Sequence, residues 1–348
     1  MLSLSPSRLC WDAQKDLDLL ISRKLDTTCF QSNIRCLNER FEVYAATSPT
    51  PLPAPRLIVT QEIRYQSELY LPVADIARNF QRLYRSALTY PPILSSAPFH
   101  NLLSWADLFT ILLPRFQVSA NPARLLELLL SDHELLVEFI FASFLPNRFY
   151  GGFRRYPQQG EIIREWLKVR RRIPLRCLDA ACGAGEETYG LTNLLMERGL
   201  QAEDIQIEGW TIEPLEVWAA AYARFPHDRL REVIFRKETS EVFEQGFHTC
   251  IRFRSIDLFD APRMEQFDLI LCNGLLGGPI INTPHRLEQV VGNLARLLAS
   301  GGLLLAADHF HGGWKQKCPQ ENLWALLEQN SLKTFEAGEG VGGLKSYQ

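Results

Sequence analysis

An apolar run, Leu175-Arg176-Cys177-Leu178-Asp179-Ala180-Ala181, opens directly into Cys182-Gly183-Ala184-Gly185 and then into Glu186-Glu187-Thr188-Tyr189-Gly190-Leu191. This is the feature that most constrains the fold. A buried strand that ends in glycines and leads into a helical pattern closed by Gly199 is the opening strand-turn-helix of an open α/β sheet. Ligands bind at such strand exits, and the helix start behind the turn offers unpaired N–H groups. Gly183 and Gly185 allow a sharp turn and a close backbone approach.

The rest of the C-terminal half agrees. IQIEGWTIE, HTCIRFRSID, FDLILCNG and LLLAAD read as further strands. The helical patterns PLEVWAAAYARF and HRLEQVVGNLARLLA lie among them, and ENLWALLEQN follows as another helix. The tail LKTFEAGEGVGGLKSYQ has the pattern of a hairpin. Strands alternating with helices predict a mainly parallel sheet covered on both faces.

The N-terminal part reads differently. Residues 12–45 are partly helical, and Pro49, Pro51, Pro53 and Pro55 make 47–55 an extended connection. The β-branched and aromatic run over 56–73 predicts one or two strands. An amphipathic helix follows over 76–87, and residues 102–145 carry two or three apolar helices, one capped by Asn121 with Pro122 behind it. The expected organisation is an α+β accessory domain over 1–118, followed by an α/β domain over 119–348.

Composition narrows the function. The chain has 348 residues, 37 Lys plus Arg against 40 Asp plus Glu, and a net charge of −3, so no global positive field favours nucleic acid. No apolar stretch has the length of a membrane span. The 8 cysteines form no CxxC pair and no zinc spacing, which predicts buried, reduced thiols in a cytoplasmic protein and no metal site.

The glycine turn also selects its ligand. A dinucleotide fingerprint would place a third glycine where Thr188 stands. Glu186 and Glu187 in the first helical turn would repel a pyrophosphate. They suit a ligand with cationic and hydroxyl groups and no phosphate, and S-adenosylmethionine has that chemistry.

At these residues the chain resembles the class I S-adenosylmethionine-dependent methyltransferases, and among them the CheR chemotaxis receptor methyltransferase family. Residues 180–191 follow that family's A-A-C-S-x-G-E-E-P-Y-S-x-A segment. Ile256-Asp257-Leu258, FDLILCNG (267–274) and LLASGGLLLAAD (297–308) follow its later landmarks in order, and Asn147-Arg148-Phe149-Tyr150 is loosely similar to its T-x-F-F-R element. The resemblance covers about 140–348. It implies a Rossmann-like methyltransferase domain with a C-terminal antiparallel hairpin. It implies cofactor contacts at Asp179, Ala181, Gly183, Gly185 and Glu187, at Asp257 and Leu258 beside the adenine, and at Asn273.

The departures are specific. Where the family has a ribose-binding aspartate, this chain has Thr211, with Glu213 two positions on. Glu213 either takes over that role or is a solvent-facing helix start. Cys272-Asn273-Gly274 replaces Cys-Arg-Asn, and the family's following tyrosine is missing, which predicts poor methylation of receptor glutamates. Arg154 or Arg155 can restore the lost charge if their segment folds over the cofactor. Catalytic candidates are Asn273 and the pair His309 and His311; each histidine is either a base or substrate-orienting group, or part of a polar loop. The basic run 164–172 is either a solvated helix end or a contact for an acidic partner or RNA.

The resulting expectation is methyl transfer to an oxygen nucleophile, perhaps a carboxylate, on a protein or small molecule, with a protein partner for the N-terminal domain. A cofactor-binding regulatory or scaffold protein that has lost catalysis is the alternative, and an RNA methyltransferase the lesser one.

Overall fold

The computed structural model describes residues 2–98, 102–145, 152–170, 173–262, 266–278, 280–307 and 318–347. It divides into two compact units. One comprises Gln14–Asn147 with Phe225–Arg229, the other Met1–Ala13, Arg148–Arg224 and Leu230–Gln348. The units therefore part near residue 147, and the two apolar helices after Asn121 go with the N-terminal unit.

The longer elements described in the first unit are all helices: α1 (Cys10–Leu20, shared with the other unit), α2 (Gln31–Thr47), α3 (Gln61–Tyr70), α4 (Val73–Ala87), α5 (Trp105–Ile111), α6 (Pro122–Ser131) and α7 (His133–Phe144). The strands expected over 56–73 are thus corrected to α3 and the start of α4. Local β propensity loses here to capping and packing: the Thr60 side chain accepts from the Ile63 N–H, and Ile63 and Ser67 are buried. Asn121 caps α6 through the Ala123 N–H, with Pro122 at the first helical position, as its sequence predicts. The core is aromatic. Phe139 meets Phe80 at 5.6 Å and Phe116 at 5.1 Å between ring centroids, and Tyr84 exchanges a hydrogen bond of 2.9 Å with Ser143.

The second unit is built on one 8-stranded sheet of order β1-β4-β3-β2-β5-β6-β8-β7. The strands are β1 (Ser3–Leu4), β2 (Leu175–Asp179), β3 (Ile205–Thr211), β4 (Ile251–Ser255), β5 (Phe267–Leu271), β6 (Leu298–Ala307), β7 (Leu332–Glu336) and β8 (Gly340–Lys345). The run from β4 to β6 is parallel; β7 and β8 form the expected antiparallel hairpin, and β1 adds an antiparallel edge. The helices are α8 (Pro157–Val169), α9 (Glu186–Glu197), α10 (Pro214–Tyr222), α11 (Arg229–Glu238), α12 (Ser240–Glu244), α13 (Pro284–Leu297) and α14 (Gln320–Gln329). Sequence reading passed over α11 and α12. All five residues of β5 are buried, four of them apolar and the fifth, Asp268, paired with Arg170. Strand order reverses at β2, between β3 and β5, so the crevice of this sheet opens above the glycine turn.

Candidate functional site

The glycine turn is pinned from both sides. The Ala180 N–H donates to Leu271 O of β5 at 2.7 Å, and the Cys182 N–H to Trp210 O of β3 at 2.9 Å. Gly183 (φ +52°) and Gly185 (φ +94°) both lie in the left-handed region. Their roles differ. A Cβ on Gly185 would stand 2.9 Å from Ala220 Cβ and 3.0 Å from the Phe253 ring, so this glycine is required by packing. A Cβ on Gly183 would meet nothing within 4 Å, so this backbone faces open space.

The next four side chains separate structure from chemistry. Glu186 forms an ion pair with Arg231 of α11. Thr188, where a dinucleotide fold has glycine, donates to Asp179 Oδ2 at 2.8 Å. Tyr189 is buried among Phe235, Phe243 and Phe253 and donates to Ala220 O at 2.9 Å. Only Glu187 turns into the cavity between α8 and α9.

Glu187 Oε2 accepts from Asn273 Nδ2 at 2.9 Å. Asn273 follows the exit of β5, and its amide pairs reciprocally with Gln159 of α8 at 2.9 and 3.0 Å. Tyr156, Arg155 and Arg154 complete this wall, and Ile163, Leu191 and Leu194 form the apolar body of a cavity of about 170 Å³. Burial raises the Glu187 carboxyl to about 8, helped by the charge of Asp179 and opposed by the Asn273 bond and the Arg155 charge. Burial likewise raises Asp179, fully enclosed at the end of β2, to about 7. Tyr156 is pushed up to about 12, by burial first and by Glu187 second.

Asp179, Glu187 and Asn273 are therefore brought together, with Ala181 and Gly183 on the adjoining turn. Glu213 is buried and caps α10, its Oε1 accepting from the Leu215 N–H at 3.2 Å. Its expected solvent-facing alternative does not hold. Asp257 Oδ1 accepts from the Phe259 N–H at 2.9 Å, and Leu258 is buried beside it. His309 and His311 lie outside the described residues, as does the 147–150 segment. Gln159, Tyr156 and Glu339, which binds the first N–H groups of α8, were missed. Tyr156-Pro157 marks a helix start, but nothing in the sequence links Gln159 to Asn273.

The described cations of the basic run are paired, and Arg171 and Arg172 lie outside the described residues. Arg164 binds Glu161 and Glu197, Lys168 binds Glu165, and Arg170 forms a buried ion pair with Asp268. Cys177, Cys182, Cys272 and Cys318 are buried, whereas Cys10 and Cys36 are exposed, so the expectation of buried thiols holds for the sheet and not for the N-terminal helices. Among the described residues no helix is long and apolar enough to cross a membrane.

Comparisons with known proteins point the same way. Residues 153–309 match the model of the CheR methyltransferase, SAM binding domain. A chemotaxis protein methyltransferase of Listeria innocua serovar 6a is 28% identical over 197 residues, 54% of this chain and 70% of that protein. Its counterpart in Listeria monocytogenes serovar 1/2a is 29% identical over 199 residues, 53% of this chain and 71% of that protein. Among solved structures, the N-methyltransferase NodS from Bradyrhizobium japonicum WM9, in complex with S-adenosyl-L-homocysteine, is 15% identical with a TM-score of 0.39, covering 62% of this chain and 100% of that one. Residues 153–309 form a divergent CheR-like class I methyltransferase domain whose cofactor is S-adenosylmethionine.

Proposed function

We propose that this domain methylates an oxygen acceptor, a carboxylate in the first place, on a protein or a small molecule. The observation that carries this reading is the guanidinium of Arg155, which lines the cavity whose inner wall is Glu187 and Asn273; Arg154 and Arg164, on the same lining, are held in ion pairs with Glu197 and Glu161. Arg155 lies 5.2 Å from the Tyr156 ring centroid, and its charge is felt at Glu187. Positive charge thus reaches this wall from the segment before α8, although Asn273 stands where the CheR pattern has arginine. A carboxylate gains alignment from charge-assisted contacts of this kind.

The residues fit the cofactor. The open space over Gly183 admits a ligand against the backbone, and Glu187 supplies a carboxylate for a cationic group, with Asp179 enclosed behind it. When bound, S-adenosylmethionine supplies a methyl group already activated by its sulfonium. What the protein adds is alignment of the acceptor oxygen, which lowers much of the barrier for such a displacement. A carboxylate acceptor requires no base.

The test is transfer of labelled methyl from the cofactor by the full chain, with small carboxylates and chemoreceptor cytoplasmic fragments offered side by side. Base-labile label on a small carboxylate is the expected result, with receptor fragments the poorer acceptors. Base-stable label on every acceptor tried would overturn the carboxylate assignment. Firm cofactor binding with no transfer to any of them would assign the domain to a regulatory role.

A further inference from the structure

We infer that Gln159 is a positioning residue of the cofactor site: it locks the Asn273 carboxamide in the one orientation that donates to Glu187. The inference rests on the reading of Glu187 as a cofactor-holding carboxylate. A carboxamide has two N–H groups and two oxygen lone pairs. In Asn273 all of them are used. Nδ2 donates to Glu187 Oε2 at 2.9 Å and to Gln159 Oε1 at 2.9 Å, while Oδ1 accepts from Gln159 Nε2 at 3.0 Å and from the Ala307 N–H at 2.7 Å. Turned over, the amide would set N–H against the Ala307 N–H and oxygen against the Glu187 carboxylate.

The Ala307 bond alone would leave the amide one point to pivot on. The Ala307 N–H sets which way the amide faces, and Gln159 supplies the second point that holds it there, from a turn that is itself tied down. Gln159 is 2% exposed and stands in the first turn of α8. The N–H groups of Gln158 and Gln159 donate to the Glu339 carboxylate at 2.9 and 3.1 Å, tying that turn to the connection between β7 and β8. The amide bridge therefore fixes the direction of Glu187 without cancelling its charge, as a directly paired cation would. The carboxylate stays available to the ammonium group of the cofactor.

The test is a double-mutant cycle on the full chain with Gln159→Met and Asn273→Ala, read by calorimetric binding of S-adenosylhomocysteine across pH 6.5–8.5 and by thermal midpoint. We expect Asn273→Ala to weaken binding about tenfold and Gln159→Met about fivefold, with the double variant no weaker than Asn273→Ala, because Gln159 acts through the amide. Both single variants also move the pH midpoint of binding upward, a shift that loss of packing alone would not cause. Unchanged affinity in Gln159→Met, or losses that multiply in the double variant, would overturn the inference. Unchanged binding in Asn273→Ala would instead overturn the reading of the site. Should Gln159→Met fail to fold, Gln159→Glu keeps the size and the acceptor and loses the donor. It too should raise the pH midpoint, and an unmoved midpoint would count against the lock.

Discussion

Two neighbouring strand exits of one sheet carry a glutamate at the start of the following helix and use it in opposite ways. After β2, Glu187 reaches into the α8/α9 cavity and is held by the Asn273 amide. After β3, Glu213 folds back on its own helix and caps the Leu215 N–H. The difference lies in the turns before them. The β2 exit spends two left-handed glycines on its turn, so α9 begins beyond the crevice edge with its second residue facing in. The β3 exit has no such glycine; Glu213 itself occupies the cap position, and Pro214 starts α10. A carboxylate at a strand end is thus taken up by the start of the next helix in one case and left facing a cavity in the other.

The largest effect should come from the turn itself. Gly183→Val places a branched side chain in the open space beside the cofactor carboxylates and should reduce S-adenosylhomocysteine affinity by a factor on the order of 100 or more, with a modest loss of thermal stability from the left-handed backbone. Gly185→Ala should do the reverse. Its Cβ meets Ala220 and Phe253, so the chain should lose about 1–3 kcal/mol of stability while the residual folded protein still binds. Calorimetry and thermal melts on both variants separate the two roles, and equal affinity for Gly183→Val and the parent would move the site elsewhere.

Next come the two glutamates. Glu187→Gln should weaken S-adenosylhomocysteine binding about tenfold or more, as expected for a charge-assisted contact. Glu213→Ala should change affinity less than about threefold while costing about 1 kcal/mol of stability for the lost cap. A loss of affinity in Glu213→Ala that matches Glu187→Gln would show that the carboxylate also serves the ribose, as its position at the strand end first implies.

The same contrast explains what was legible in the sequence. The mainly parallel sheet, its C-terminal hairpin and the glycine turn follow from local signals: apolar runs of strand length, glycines at the turn, and prolines at helix starts; the strand order does not. The residues 56–73 were misread because β-branched and aromatic residues in Ile58, Val59, Ile63 and Tyr65 carry a strand-like propensity that a Thr60 cap and burial of Ile63 override. Within the site, Glu187 was legible because it follows the glycine turn directly, in the segment that resembles the CheR family's. Gln159 was not. Its bond to Asn273 spans 114 residues, and no periodicity or composition reports a contact between side chains so far apart in the chain. The Arg170 to Asp268 pair is hidden in the same way, so that Arg164, Lys168 and Arg170, basic in sequence, are each closed in an ion pair in the fold.

The smallest effect, and the one that separates the two exits by electrostatics alone, is a dependence on pH. Burial raises the Glu187 and Asp179 carboxyls well above the ordinary carboxylate range, and the charge of one raises the other further, so the pair retains protons in the folded, ligand-free protein at pH values where an unfolded chain has lost them. The native state then binds more protons than the unfolded state between the ordinary carboxylate range and about 8. Stability from these groups is fully present at low pH and is lost as pH rises through that window. Binding runs the other way. A ligand ammonium needs an ionised partner, so binding expels a proton and affinity should rise with pH, by up to about tenfold between pH 6.5 and 8.5. Glu187→Gln should flatten much of that slope, and Glu213→Ala should keep it, since its carboxylate is engaged by the start of α10. Titration calorimetry of S-adenosylhomocysteine in two buffers of different ionisation enthalpy counts the proton directly. No proton release at pH 7, or an equal slope in Glu187→Gln and the parent, would mean that the carboxylate after β2 is no more a ligand group than the one after β3.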